Sequence, residues 1–146
     1  MSGLAALLAD HNPPDLYQWH SAANVADVEH AVEHAGWSFA YLDGWAIEDK
    51  QTFLKAAAAV FAFPDDFGEN FDALSDCLSD VDSGDRHGMV LLWDGWSPLA
   101  RRDEQAFKVA LSVLGGRANA ERGCKFAVLL RGDGPPIDLP ELPVKH

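Results

Sequence analysis

Basic residues are scarce and unevenly placed in this chain of 146 residues, where 11 Lys and Arg stand against 23 Asp and Glu for a formal charge of −12. None precedes Lys50, and none lies between Lys55 and Arg86. So acidic a chain repels phosphate backbones, which argues against direct nucleic-acid binding and for basic partners drawn in quickly at low salt. Cysteine is scarce too. Cys77 and Cys124 are the only two, with no Cys-x-x-Cys spacing, so free thiols are expected rather than a disulfide framework or a zinc finger. Long apolar runs are missing. The longest candidate, residues 56–63, stops at Pro64, well short of the ~18 residues a membrane span needs. The short apolar stretch at the amino terminus lacks the basic segment that opens a secretory signal, so a cytoplasmic protein is expected. Also absent are a Gly-x-Ser-x-Gly elbow, a phosphate-cradling glycine loop and a dinucleotide fingerprint.

What is present reads as one globular domain. Breakers at Asn12-Pro13-Pro14 and Gly134-Pro135-Pro136 mark residues 1–16 as an amino-terminal tail and 133–146 as an irregular carboxyl-terminal tail, leaving a domain over 17–132. Within it helix and strand signals alternate. Asn24 can cap a helix over 25–35, whose Val25, Val28, Val32 and Ala35 form an apolar stripe. A strand follows over 37–42, a helix over 48–62, and a short helix over 71–79 with Asn70 as its cap. Residues 88–93 form a buried strand, 98–114 a helix broken at Gly115-Gly116 with a further turn or two toward Glu121, and 125–130 a third strand. Short apolar strands separated by helices pair in parallel through helical crossovers. The expectation is an α/β three-layer domain with a parallel sheet of about three strands flanked by helices, plus an edge strand over 17–20.

The strongest anomaly lies between Lys55 and Arg86. Asp65, Asp66, Glu69, Asp72, Asp76, Asp80, Asp82 and Asp85 occur there without one basic residue. Stepping ~100° per residue, Glu69, Asp72, Asp76 and Asp80 fall within an arc of about 80°, with Phe71, Leu74, Cys77 and Leu78 away from it. A solvated surface face explains the amphipathicity but not the missing cations. Asp72 with Asp76, and Asp76 with Asp80, are like charges at i,i+4, each pair costing roughly 0.2–0.5 kcal/mol. A face that tolerates such repulsion without local relief points to a cationic partner from outside.

The same segment, Phe63-Pro64-Asp65-Asp66-Phe67-Gly68-Glu69-Asn70-Phe71-Asp72-Ala73-Leu74-Ser75-Asp76-Cys77-Leu78, resembles the signature of the barstar family, intracellular inhibitors of a secreted bacterial ribonuclease. The match reads Pro-x-x-aromatic-Gly-Glu-Asn-x-Asp-Ala-Leu-x-Asp-Cys-Leu, while Val90-Leu91-Leu92-Trp93 fits the family's middle strand and Gly123-Cys124 precedes the last strand. The resemblance runs from about Trp37 to Arg131. It implies a barstar-like fold, a non-enzymatic protein without cofactor, a monomer when free, and inhibition of a basic secreted ribonuclease or related toxin by plugging its active site. By position it makes Asp72 and Asp76 the acids that meet the enzyme's cations, with Gly68 and Asn70 shaping the loop that enters the cleft. Three positions depart from the family. Asp66 replaces a Tyr, Ser75 replaces a Trp, and a family Glu falls at Ala118 with Glu121 one turn away. Asp66, Glu69, Ser75 and Asp80 therefore join the expected contact surface, and a different basic target is expected.

Other constellations compete weakly. His30-Ala31-Val32-Glu33-His34 matches His-x-x-Glu-His, a zinc-hydrolase pattern, but the two His point away from the apolar stripe and no third ligand is evident. Asp80-Val81-Asp82-Ser83-Gly84-Asp85 starts like a calcium loop, yet its fifth and twelfth positions are Gly84 and Leu91. Of the tryptophans, Trp37 and Trp93 read as strand core, while Trp45 and Trp96 follow Asp-Gly turns, where packing is favoured over partner contact. An acidic module for some other basic protein is the alternative function, and a zinc hydrolase a distant one.

Overall fold

Two continuous apolar runs form the centre of the sheet. Gly88–Asp94 (β3) and Lys125–Arg131 (β4) are buried along almost their whole length, as strands covered on both faces must be. Their pairing is parallel, with Leu91 opposite Val128. In this computed structural model, which describes residues 3–121 and 123–144, they lie inside a five-stranded sheet. The other strands are Leu16–Trp19 (β1), Ser38–Asp43 (β2) and Glu141–Leu142 (β5), in the order β2-β3-β4-β1-β5, every pairing parallel.

The strand alternation sends side chains to two cores. On one face Ala40, Leu42, Leu91, Trp93, Phe126 and Val128 meet four helices: Lys50–Phe61 (α3), Phe71–Ser79 (α4), Ser97–Arg102 (α5) and Glu104–Ala118 (α6). On the other, Tyr17, Trp19, Val90, Leu92 and Leu129 meet Gly3–Leu8 (α1) and Val25–His34 (α2) through Leu7, Leu8, Val28 and Val32. The result is three layers, helices on both sides of a parallel sheet. Asn24 caps α2 by accepting from Asp27 N, and Val28 and Val32 are the buried part of the expected stripe.

Three expectations are corrected. The sheet has five strands rather than three, and the segment read as an edge strand, β1, sits between β4 and β5. Within the segments read as tails, the described residues include a helix, α1, and a strand, β5, that pack on the sheet. Leu7 and Leu142 are buried, and the Gln18 side chain donates to Leu139 O at 2.8 Å while its backbone N donates to Pro140 O at 2.9 Å. Their prolines sit in the connections, and a two-residue strand is too short to carry a periodic signal. The helix expected over 98–114 is two. Asp103 ends α5 and caps α6, accepting from Ala106 N at 3.2 Å. Gly115-Gly116 does not break α6, because it lies among positions held by Leu114 and Ala118 in the core, which outweighs the ~1 kcal/mol propensity cost of each Gly.

Candidate functional site

The acidic helix begins as its residues require. Asn70 Oδ1 accepts from Ala73 N at 2.7 Å, satisfying one of the free amides of the first turn, and Asn70 Nδ2 donates back to Gly68 O at 3.3 Å. A Cβ on Gly68 would press on the Asn70 side chain, and Glu69 holds a left-handed φ of 49°, so the loop enters the helix through one tight bend. Leu74 and Leu78 anchor α4, each buried to 1% exposure, with Phe71 against Phe53 at 6.3 Å. Two such leucines contribute roughly 1.5–3 kcal/mol each.

The opposite face carries the acids. Asp66, Glu69, Asp72, Asp76 and Asp80 are exposed, and among the described residues none accepts a side-chain hydrogen bond or forms an ion pair. Ser75 is exposed between Asp72 and Asp76. In place of the family's Trp there is an open trough between α4 and α6, lined by Ser75, Ser79, Ser112, Gly116 and Glu121. Glu121 is thus on the same side as α4, whereas Ala118 is buried.

The cations near α4 are engaged elsewhere. Lys50 lies over the Phe71 ring, 5.5 Å from its centroid. Arg117 is buried beneath the helix, a residue that sequence reasoning missed. Its Nε donates to Leu78 O at 2.8 Å, one terminal nitrogen donates to Val81 O at 3.1 Å, and its guanidinium stacks 5.0 Å from the Phe126 centroid. A cation at a helix carboxyl end is favourable both for the free carbonyls and for the helix dipole. Its signal in the sequence is a lone Arg inside the apolar run of α6. The acidic face leaves its imprint on Cys77, whose thiol is pushed up by burial first and then by Asp80, Asp76 and Asp66.

Other charged residues are consumed in structural contacts. Arg131 meets Asp94 through two bonds of 3.1 and 3.0 Å at the carboxyl ends of β3 and β4. Asp10 joins Lys125 and His87, each at 2.7 Å, at the amino ends of the same strands. His30 and His34 stack at 6.1 Å on the exposed side of α2, and no cluster of three metal-ligating side chains occurs among the described residues, so the zinc pattern gains no third ligand. Trp37, Trp93 and Trp96 are core, while Trp45 is 53% exposed over Gly95. Cys77 and Cys124 are free thiols.

The class defined here is a parallel α/β domain that displays a capped helix whose acidic face carries no ion pair among the described residues, and comparison with known proteins gives it a family. Residues 37–131 match Barstar (barnase inhibitor), and the chain belongs to the barstar family. The matched stretch runs from Trp37 to Arg131, the ends the resemblance indicated, so β1, α2 and the terminal elements lie outside it. No curated protein matches the chain. Among solved structures, the Aeropyrum pernix ORC2 protein in its ADP form aligns with a TM-score of 0.58 at 15% identity, covering 90% of this chain and 39% of that one. The same protein in ADPNP–ADP complexes aligns at 0.56 and 15% identity, covering 90% and 38%. The chain spans about two-fifths of the ORC2 protein, and the likeness is one of fold. No strand-to-helix loop here carries the Gly-x-x-x-x-Gly-Lys-Ser/Thr pattern, and the one after β1, residues 20–24, has neither Gly nor Lys.

Proposed function

We propose that this protein is an intracellular inhibitor or antitoxin that blocks the active site of a basic, secreted ribonuclease-type enzyme with α4 and the loop before it. The observation that carries the reading is the row of exposed carboxylates, Asp72, Asp76 and Asp80, that no cation among the described residues neutralises. A ribonuclease centre gathers Arg, Lys and His to hold phosphate, and a carboxylate fills such a position with charge-assisted hydrogen bonds. In this reading Asp72 and Asp76 meet those cations. Asn70 and Gly68 hold the entering loop, and Asp66, Glu69, Ser75 and Asp80 frame the contact. Family membership supports the inhibitor class. The protein acts in the cytoplasm as a monomer when free, without enzymatic activity or cofactor.

Asp66 and Ser75, where the family carries aromatics, favour a target other than barnase itself. The alternative of an acidic module for a basic protein that is not a nuclease rests on the same two positions. The test is inhibition of RNA cleavage by barnase and by a panel of basic secreted ribonucleases at low and physiological salt. Salt-sensitive inhibition of at least one enzyme, lost in an Asp72→Ala/Asp76→Ala variant, is expected. Inhibition of none, or undiminished inhibition by that variant, overturns the reading.

A further inference from the structure

The acidic face as it stands lacks an apolar anchor. Close charge pairs across an interface are worth several kcal/mol in some complexes, and much of the remaining energy, the apolar component, concentrates on aromatic groups seated in pockets. With Asp66 and Ser75 in the aromatic positions, that apolar component has to come from another surface.

Such a surface shares a wall with α4. Between α4, the carboxyl end of α3 and β2 runs an open groove of about 510 Å³, the size of an ordinary ligand cleft, ~300–1,000 Å³. Met89 comes from the sheet, Phe61 and Phe63 from the end of α3 and the second residue beyond it, and Val81 from beyond α4; Phe39 also lines the groove, though its side chain packs against the core on the other face. All five are half-buried. The wall is built by the way α3 stops. Ala62 takes a left-handed φ of 53° and Phe63 N donates to Ala58 O at 3.0 Å, which folds Phe63 back to stack on Phe61 at 5.8 Å. The groove opens beside β2, one of the two edge strands, which has no neighbour on its far side among the described residues.

The charge at the groove names its occupant. Asp80 and Asp82 line it, both exposed and neither in an ion pair among the described residues; Asp82 Oδ1 accepts only from Gly84 N at 3.1 Å. An apolar floor with an anionic rim selects an apolar side chain flanked by Lys or Arg. A second copy of this chain, itself at −12, is repelled from such a rim. We propose that the groove is a second docking site for the same basic partner that α4 receives, taking an extended hydrophobic segment flanked by basic residues; this rests on the inhibitor reading above. The groove then supplies the anchoring that the family's aromatics supply elsewhere, and it sets partner choice.

The experiment uses the whole chain and two capped peptides, Ac-Lys-Leu-Phe-Lys-NH2 and Ac-Glu-Leu-Phe-Glu-NH2, titrated into isotope-labelled protein and followed by NMR. The cationic peptide is expected to give saturable shifts at the Phe39, Phe63 and Val81 amides and the Met89 methyl, with the acidic peptide weaker by about fivefold or more. Asp82→Asn keeps an acceptor for Gly84 N while removing the charge, and is expected to weaken the cationic peptide about twofold. Val81→Lys, checked for native circular dichroism, is expected to abolish the shifts. Equal binding of the two peptides, shifts confined to the outer face of α4, or no saturable shift in the groove overturns the proposal. No ribonuclease enters this titration, so its failure is distinct from failure of the inhibition test.

Discussion

Asp94 and Asp76 sit on the same small domain and face opposite circumstances. Asp94, at the carboxyl end of β3, accepts two bonds from Arg131 and one from the Tyr41 hydroxyl at 3.3 Å, and its side chain is 13% exposed. Arg131 in turn donates to the Ser21 and Ala23 carbonyls, tying the loop after β1 to the sheet. Asp76, on the outer face of α4, is in water with Asp72 and Asp80 a turn away on either side. The difference follows from where the cations went. Arg131 serves the sheet end, Lys125 binds Asp10, and Arg117 holds carbonyls beneath α4. One carboxylate is held by the fold, the other stands without an ion pair among the described residues, and each should fail in its own way when removed.

The largest stability effect is expected at the sheet end. Asp94→Ala leaves Arg131 shielded without its counter-ion and should cost about 3 kcal/mol, read as a lower urea midpoint at unchanged slope. A loss under ~0.5 kcal/mol would place Asp94 in the same class as Asp76. The largest binding effect is expected on α4. Asp76→Ala should weaken the complex with an inhibited ribonuclease by about 2–5 kcal/mol, measured by calorimetry. The same variant should leave stability unchanged or raise it by ~0.2–0.5 kcal/mol as the i,i+4 repulsion is relieved.

Smaller effects sharpen the contrast through titration. Asp10 has a lowered pKa, chiefly from the hydrogen bond of Lys125, with His87 adding to it. A carboxyl whose folded pKa is depressed contributes stability that is fully present above the ordinary carboxylate value of ~3.9 and lost as pH falls through the lower folded value. Asp10→Asn should therefore lower stability most at neutral pH, where that contribution is fully present, and flatten the acid limb of the stability–pH curve as variant and parent converge. Cys77 titrates high because of burial and then of Asp80, Asp76 and Asp66. Asp76→Asn/Asp80→Asn should speed its alkylation by iodoacetamide at pH 8, a direct readout of the field on the acidic face. The smallest effect is expected at Lys108 and Glu104, an exposed i,i+4 pair at 2.9 Å, where Lys108→Ala should change stability by less than ~0.5 kcal/mol.

Much of α4 is legible in the amino-acid order alone. Its bounds, its Asn70 cap and the division between acids and leucines follow from spacing and capping chemistry, which are local. The central strands are legible for the same reason, since uninterrupted apolar runs have nowhere to go but the middle of a sheet. The break at Asp103 is hidden because a capping Asp inside an amphipathic run looks like a surface residue. The strand β5 is hidden, and β1 is legible only as an edge strand, because their pairing joins residues more than a hundred positions apart, such as Gln18 with Glu141.

By itself the sequence determined the α/β alternation, the family signature and a run of acids with no basic residue among them, because composition, periodicity and helix geometry act over a few residues. Only the tertiary structure decided that the acids stay unneutralised, since that depends on where distant cations such as Arg117 and Arg131 are drawn. It also decided that the end of α3, the sheet edge and the loop beyond α4 enclose an apolar groove beside them. Both are matters of three-dimensional proximity, set by how the helices pack on the sheet.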